Sequence, residues 1–268
     1  MSLPAGLVKT NYHTHTYLCR HANGNPSDYV KKAIELGFEA IGISDHAPFS
    51  ELADRSIRMR PDEYPLYLKE LKESIDRYKD SIRIYKGLEI EYLPNKLEYY
   101  KQVLCNDLDY LALGQHYVPD PKSPDGLRSI YDLDNIDQIR SYTYTLTEAM
   151  DTGLFKFICH PDIMLFHVKD FDEDIVMESK KIIAKAIETK TPLEINANGI
   201  RMGLRKTKEG LRYRYPRLEF WKLVSEMKPI VIVSADAHDP SLLYDEAMNE
   251  AYEFARQLGI EVEEDIMK

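Results

Sequence analysis

Pro229-Ile230-Val231-Ile232-Val233-Ser234-Ala235-Asp236-Ala237-His238 is a strand-like apolar run that ends in an acid and a histidine two residues apart. The same pattern recurs through the chain. Ala40-Ile41-Gly42-Ile43-Ser44 leads to Asp45-His46, Tyr110-Leu111-Ala112-Leu113-Gly114 to Gln115-His116, and Phe155-Lys156-Phe157-Ile158-Cys159 to His160-Pro161-Asp162. Three further β-rich runs, at 7–13, 82–92 and 192–196, carry His13, then Glu89 and Glu91, then Asn196 before Ala197-Asn198-Gly199. Helical stretches separate them, at about 26–36, 61–79, 95–105, 133–150, 172–189, 216–227 and 240–257. Strands alternating with helices imply a parallel sheet. Seven such units in 268 residues predict an α/β fold with barrel-like closure rather than an open doubly wound sheet. In a barrel the functional residues gather at the C-terminal ends of the strands, where the unusual residues of this chain sit.

The length suits one domain spanning 1–268. Hydrophobic residues make up 44% and charged residues 30%, a globular composition. No apolar run approaches the ~20 residues of a membrane span, and the N-terminal residues lack the basic and apolar regions of a signal peptide. A formal charge of −10 argues against nucleic acid and anionic membranes as partners. It leaves an anionic small-molecule substrate open, because bound divalent cations reverse the local field. Cys19, Cys105 and Cys159 are odd in number and widely spaced, which reads as a reduced, cytoplasmic protein. Oligomeric state is not fixed by these features.

On an extended strand, residues two apart face the same way, so His13 and His15 aim at one point. A lone pair of this kind decides little. Together, however, the strand ends supply His13, His15, Asp45, His46, Glu89, Glu91, His116, His160, Asp236 and His238, and the loop after the first run adds His21. Only His167 stands apart. Imidazole with carboxylate and no thiolate suits Zn²⁺, Mn²⁺ or Fe²⁺. The set exceeds one tetrahedral shell, so two or three ions are expected. Metals ~3.5–4 Å apart clamp a phosphoryl group undergoing in-line attack.

In their order and spacing, His13-x-His15, His21, Asp45-His46, Glu89, His116, His160 and Asp236-x-His238 resemble the motifs of the PHP (polymerase and histidinol phosphatase) family, from Asn11 to His238. The resemblance implies a distorted (βα)7 TIM-like barrel, in keeping with the seven runs counted above, and a site for three divalent ions. Carried over residue by residue, it puts His13, His15, Glu89 and Asp236 on one ion. Glu89 would bridge to a second, held with His116 and His160, and His21, His46 and His238 would hold a third. Three segments are similar to the stand-alone histidinol-phosphate phosphatase branch: Ser44-Asp45-His46-Ala47-Pro48, Gly114-Gln115-His116-Tyr117, and Glu194-Ile195-Asn196 followed by Asn198-Gly199 and Arg201. That likeness implies hydrolysis of L-histidinol phosphate to L-histidinol and phosphate, by attack of a hydroxide held between metal ions.

Other residues are candidates for the remaining chemistry. Asp45 and Asp162 are potential acids for the leaving group, or supports that orient histidine ligands. Arg201 is a potential phosphate clamp, or a surface charge in a basic run with Arg205 and Lys206. Asn196 and Asn198 are candidate substrate contacts, although Asn198-Gly199 also reads as a turn. Glu91 lies on the same strand face as Glu89 and suits the substrate's ammonium or imidazole, and Arg20 is a further phosphate candidate. The loops at 48–62, 118–130 and 201–214 are the stretches that would reach the site. Three rival readings stand beside this one: another PHP-family phosphoesterase acting on nucleotides or other small phosphate esters, an amidohydrolase-type metal hydrolase, and a metal-binding module without turnover.

Overall fold

Seven short parallel strands follow one another round a common axis in chain order: β1 (Thr10–Asn11), β2 (Ala40–Ile43), β3 (Arg83–Ile90), β4 (Tyr110–Leu113), β5 (Phe157–Ile158), β6 (Leu193–Asn196) and β7 (Val231–Ser234). These come from a computed structural model that describes residues 10–52, 57–123, 126–207 and 210–268. The start of the first expected run, residues 7–9, lies outside them. Each strand is hydrogen-bonded to its predecessor in parallel register. The seam between β7 and β1 is bridged just beyond the strand ends. His15 N donates to Ala237 O (2.9 Å), Ala237 N to His13 O (3.3 Å), and Ala235 N to Asn11 Oδ1 (2.6 Å). The His13-x-His15 and Asp236-x-His238 motifs therefore close the barrel that they also crown.

Helices α1 (Pro26–Glu35), α2 (Tyr64–Tyr78), α3 (Leu97–Asn106), α4 (Ile136–Asp151), α5 (Glu173–Thr189), α6 (Ala197–Arg201), α7 (Leu218–Met227) and α8 (Glu246–Gln257) fall between or after the strands. Local chemistry sets their ends. Asn25 and Asp28 form a capping box around Pro26 at the start of α1, and Asp172 caps α5, which ends in left-handed Lys190.

Period-two alternation builds two cores from one sheet. In β4, Leu111 and Leu113 join the large cluster shared with the helices, while Tyr110 and Ala112 join a small one inside the barrel with Tyr12, Phe157, Cys159, Ile232 and Ile266. Tyr110 fills the base of the barrel and donates to Tyr12 O (2.7 Å). Its ring needs the glycines facing it. A Cβ on Gly42 would lie 2.2 Å from Tyr110 Oη, and one on Gly87 2.2 Å from Tyr110 Cζ. Overpacking a dry core is destabilising. Gly87→Ala is therefore expected to lower stability by about 3 kcal/mol, read as a lower denaturant midpoint at unchanged slope. An unchanged midpoint would show that the ring can move aside.

The base is sealed by chain that follows α8. Tyr12 Oη donates to Asp265 Oδ1 (2.6 Å), Arg83 pairs with Asp265 (2.6 Å), and Ile266 packs into the inner cluster. Nothing in the sequence signalled this closure. Two expected loops also hold antiparallel ribbons, Tyr117–Pro119 with Leu127–Ser129 and Arg205–Thr207 with Gly210–Arg212. Within the three loop stretches, residues 53–56, 124–125 and 208–209 lie outside the described residues. The expected turn at Asn198-Gly199 is instead part of α6, whose first turn is capped by Asn196.

Candidate metal centre

The alternation that sends Tyr110 into the base sends Glu89 and Glu194 into the next layer up, and the strand-end histidines form a crown above them. Glu89 lies at the middle. Its Oε1 is 3.0 Å from His160 Nε2, 3.5 Å from His13 Nε2 and 3.6 Å from His116 Nε2. Its Oε2 is 2.9 Å from His46 Nδ1 and 3.6 Å from His15 Nε2. Asp236 Oδ1 stands 3.0 Å from His15 Nε2 and 3.6 Å from His13 Nε2. The His15 ring stacks 4.1 Å from His238 and lies 4.4 Å from His46, and the His21 ring is 4.5 Å from His238 and 5.4 Å from His46. All nine residues expected as metal ligands are thus within one cluster.

The supports for these rings decide which nitrogen faces inward. His13 Nδ1 is held by Glu194 (2.7 Å), His116 Nδ1 by Glu91 (3.0 Å), His21 Nδ1 by Cys19 O (2.9 Å) and His238 Nδ1 by Asp236 O (3.1 Å). In each ring this leaves Nε2 as the free donor, the usual arrangement of a metal-binding imidazole. Among the described residues, His13 Nε2, both nitrogens of His15, His238 Nε2 and Asp236 Oδ1 are buried without an aligned hydrogen bond. Buried polar atoms are rarely left so. Their convergence on nitrogen and carboxylate donors fits divalent cations.

Electrostatics divide the rings: nearby carboxylates raise His13 and His116 against the pull of burial, while other rings are lowered. Burial, the largest influence on both, pulls His46 down to about 4 and His238 to about 2, so each is a neutral base ready to ligate. Burial also acts to lower His15, but the Asp236 and Asp45 carboxylates beside it outweigh that and raise the ring to about 9. For Glu89 and Asp236 burial works to raise the pKa, yet the surrounding imidazoles hold both carboxyls well below the usual range. The carboxylates thus stay ionised in a dry site that calls for positive charge.

Several expected roles change once partners are seen. Arg201, expected as a phosphate clamp or a surface charge, is engaged within the fold: Nε and Nη2 grip Asp245 (2.7 and 3.0 Å), Nη2 also binds Leu242 O, and Nη1 binds Ala235 O. Its guanidinium ties α6 to the segment before α8. Asp162 accepts from Arg217 N and Trp221 Nε1 and anchors α7; burial raises its carboxyl to about 6, but it does not line the cleft. Asp45 is fully buried, accepts from Thr16 and from His46 N, and lies 3.6 Å from His15 Nδ1. Glu91 is not among the residues that line the cleft. Arg58 binds both its oxygens (2.9 and 3.2 Å), and the carboxylate orients His116. Asn196 is spent on Glu194, Asp236 and the start of α6. Asn198 does line the cleft, with Nδ2 3.3 Å from Asp236. Arg20 pairs with Glu63 outside it.

Sequence reasoning missed Glu194. Its Oε1 meets His13 Nδ1, and its Oε2 accepts from His160 N (2.9 Å) and Asn196 Nδ2 (2.8 Å). The signal was present, since an acid between Leu193 and Ile195 on a buried strand must face the barrel axis. Beside the crown opens a cleft of about 530 Å³, walled by Ile57, Tyr117, Ser129, Tyr131, Met202 and Tyr215 together with the histidines.

A model of the PHP domain family matches residues 11–198. Two curated relatives, each named "Probable histidinol-phosphatase", are 25% identical to the chain. The one from Deinococcus radiodurans aligns over 232 residues, 85% of each chain. The one from Schizosaccharomyces pombe aligns over 252 residues, 85% of this chain and 80% of its own. Among solved structures, the histidinol phosphate phosphatase of Lactococcus lactis subsp. lactis, determined with zinc, L-histidinol and phosphate, superposes with a TM-score of 0.70 at 17% identity, covering 98% of this chain and 99% of its own. That last likeness is one of fold. No helix among the described residues is long and apolar enough to cross a membrane.

Proposed function

Because the chain belongs to the PHP domain family, we propose that it is a metal-dependent histidinol-phosphatase, hydrolysing L-histidinol phosphate to L-histidinol and phosphate. The observation that carries the reading is the convergence of free Nε2 atoms and ionised carboxylates around Glu89, at the mouth of a cleft sized for a small molecule. In this reading His13, His15, Glu89 and Asp236 hold one divalent ion. Glu89, His116 and His160 would hold a second, and His21, His46 and His238 a third. Zinc, manganese or iron suits such donors. Ions held there would neutralise phosphate oxygens and bring the pKa of water toward ~7.

The chain's own residues do the rest. Glu194 and Glu91 fix the tautomers of His13 and His116. Arg58 keeps Glu91 ionised and in place. Tyr117, Tyr131, Met202 and Ile57 give the cleft an apolar wall suited to an imidazole ring, leaving the phosphate to face the crown.

Metal removal tests the chemistry, and a panel of phosphate monoesters tests the substrate. Exhaustive chelation is expected to abolish phosphatase activity and Zn²⁺ or Mn²⁺ to restore it; full turnover by metal-free protein defeats the reading. The kcat/KM for histidinol phosphate should exceed that for nucleoside monophosphates by about two orders of magnitude, the scale that fit against an apolar wall supplies. A preference for nucleotides would move the chain to another phosphoesterase branch of the family.

A further inference from the structure

A phosphate ester entering the cleft meets, among the described lining residues, no lysine or arginine. Among those residues, hydrogen bonds to it beyond the histidines and carboxylates of the crown come from uncharged side chains. Tyr215 is built for this. It is only 1% exposed, yet it lines the cleft. Its ring lies 6.0 Å from that of His160 on one side and 6.3 Å from that of Phe166 on the other. Gly199 makes the position available, since a Cβ there would come within 2.2 Å of Tyr215 O and 2.4 Å of its Cδ2. The following residues are pinned: Arg217 N donates to Asp162, and the Arg217 guanidinium donates to Val168 O. The ring is therefore fixed in place.

Its hydroxyl is the exception. Tyr67, Tyr100 and Tyr110, equally buried, each donate to a backbone carbonyl. Among the described residues Tyr215 Oη has no such partner, and it is not among the sealed, unpartnered hydroxyls such as that of Tyr142. Buried phenols normally find an acceptor. An immobilised, protonated donor facing a cleft, beside a histidine that itself touches Glu89, is placed for the phosphate end of the substrate rather than the ring end.

We infer that the Tyr215 hydroxyl donates a hydrogen bond to a phosphate oxygen of the substrate. The inference rests on the phosphatase reading but not on the identity of the alcohol. The test is Tyr215→Phe in the metal-loaded enzyme, which keeps the ring and removes only the unpartnered oxygen. A hydrogen bond to a charged group corresponds to roughly tenfold to a hundredfold in binding or rate. The expected result is a fall of that size in kcat/KM and a weaker inhibition constant for inorganic phosphate, with metal content and melting temperature unchanged. Tyr213→Phe, whose hydroxyl is bound to Glu250 away from the cleft, should leave both constants as in the wild type. The inference is overturned if Tyr215→Phe leaves both constants unchanged, or if it loses metal in proportion to activity. Measuring phosphate inhibition against para-nitrophenyl phosphate as well keeps the outcome separate from whether histidinol phosphate is the preferred substrate.

Discussion

Glu89→Gln should reduce kcat/KM by about a thousandfold or more and lower the metal content of the purified protein in parallel. Five imidazoles stand within 3.6 Å of the two oxygens of this one carboxylate. No other acid in the crown reaches both the His13–His15 pair and the His116–His160 pair. Glutamine keeps the shape but offers one carbonyl oxygen and turns an NH₂ toward the centre, so one side of the crown loses its acceptor and faces a donor. The negative charge is lost as well, and with it the main reason divalent cations prefer this layer to water. Space around Glu89 is already limiting. Gly114 on the neighbouring strand end would place a Cβ 2.1 Å from Glu89 Oε1. Gly114→Ala should therefore reproduce part of the defect by displacing an intact carboxylate. Elemental analysis alongside steady-state kinetics checks both variants. Wild-type metal stoichiometry with turnover within tenfold of normal would remove Glu89 from its central place.

The histidine and carboxylate cluster was legible in the sequence because each member lies within a few residues of an apolar run, and a barrel maps strand ends to one place. His13, His46, His116, His160 and Asp236 needed no knowledge of distances once seven strands were counted. The supporting residues were illegible for the opposite reason. Arg201 finds Asp245, Asp162 finds Arg217 and Trp221, and Arg58 finds Glu91 across loops whose paths no local pattern reveals. A basic residue near an expected phosphate site read as a clamp, when an acid 44 positions away had already taken it. The ribbons at 117–129 and 205–212 escaped because strands of three residues are too short to show alternation. Tyr215 carried no signal at all. Its importance comes from Gly199 and His160, which lie close only in the folded chain.

Glu194 is the residue through which metal affinity should be most sensitive to a change that touches no metal. One carboxylate binds His13 Nδ1 from the start of the chain and His160 N from its middle, and Asn196 links its Oε2 to Asp236. His160 sits at a positive φ of 33°, which a non-glycine residue adopts only under constraint. The hydrogen bond from its backbone to Glu194 supplies part of that constraint. Glu194→Ala leaves two buried N–H groups unpaired, at a cost of about 1–3 kcal/mol each, and frees the His13 ring to turn its proton toward the centre. The expected outcome is a ten- to hundredfold loss of metal affinity or activity, typical of removing a group that orients a ligand, together with a lower melting temperature. Glu194→Gln separates the two effects. Its amide can accept from His13 or from His160 N but must present an NH₂ to the other, so the fold should hold while metal affinity still falls. Competition against a chelator of known affinity measures that fall directly. If Glu194→Gln binds metal as tightly as the wild type, the tautomer of His13 is set by something other than this carboxylate, and the second layer of the barrel is packing alone.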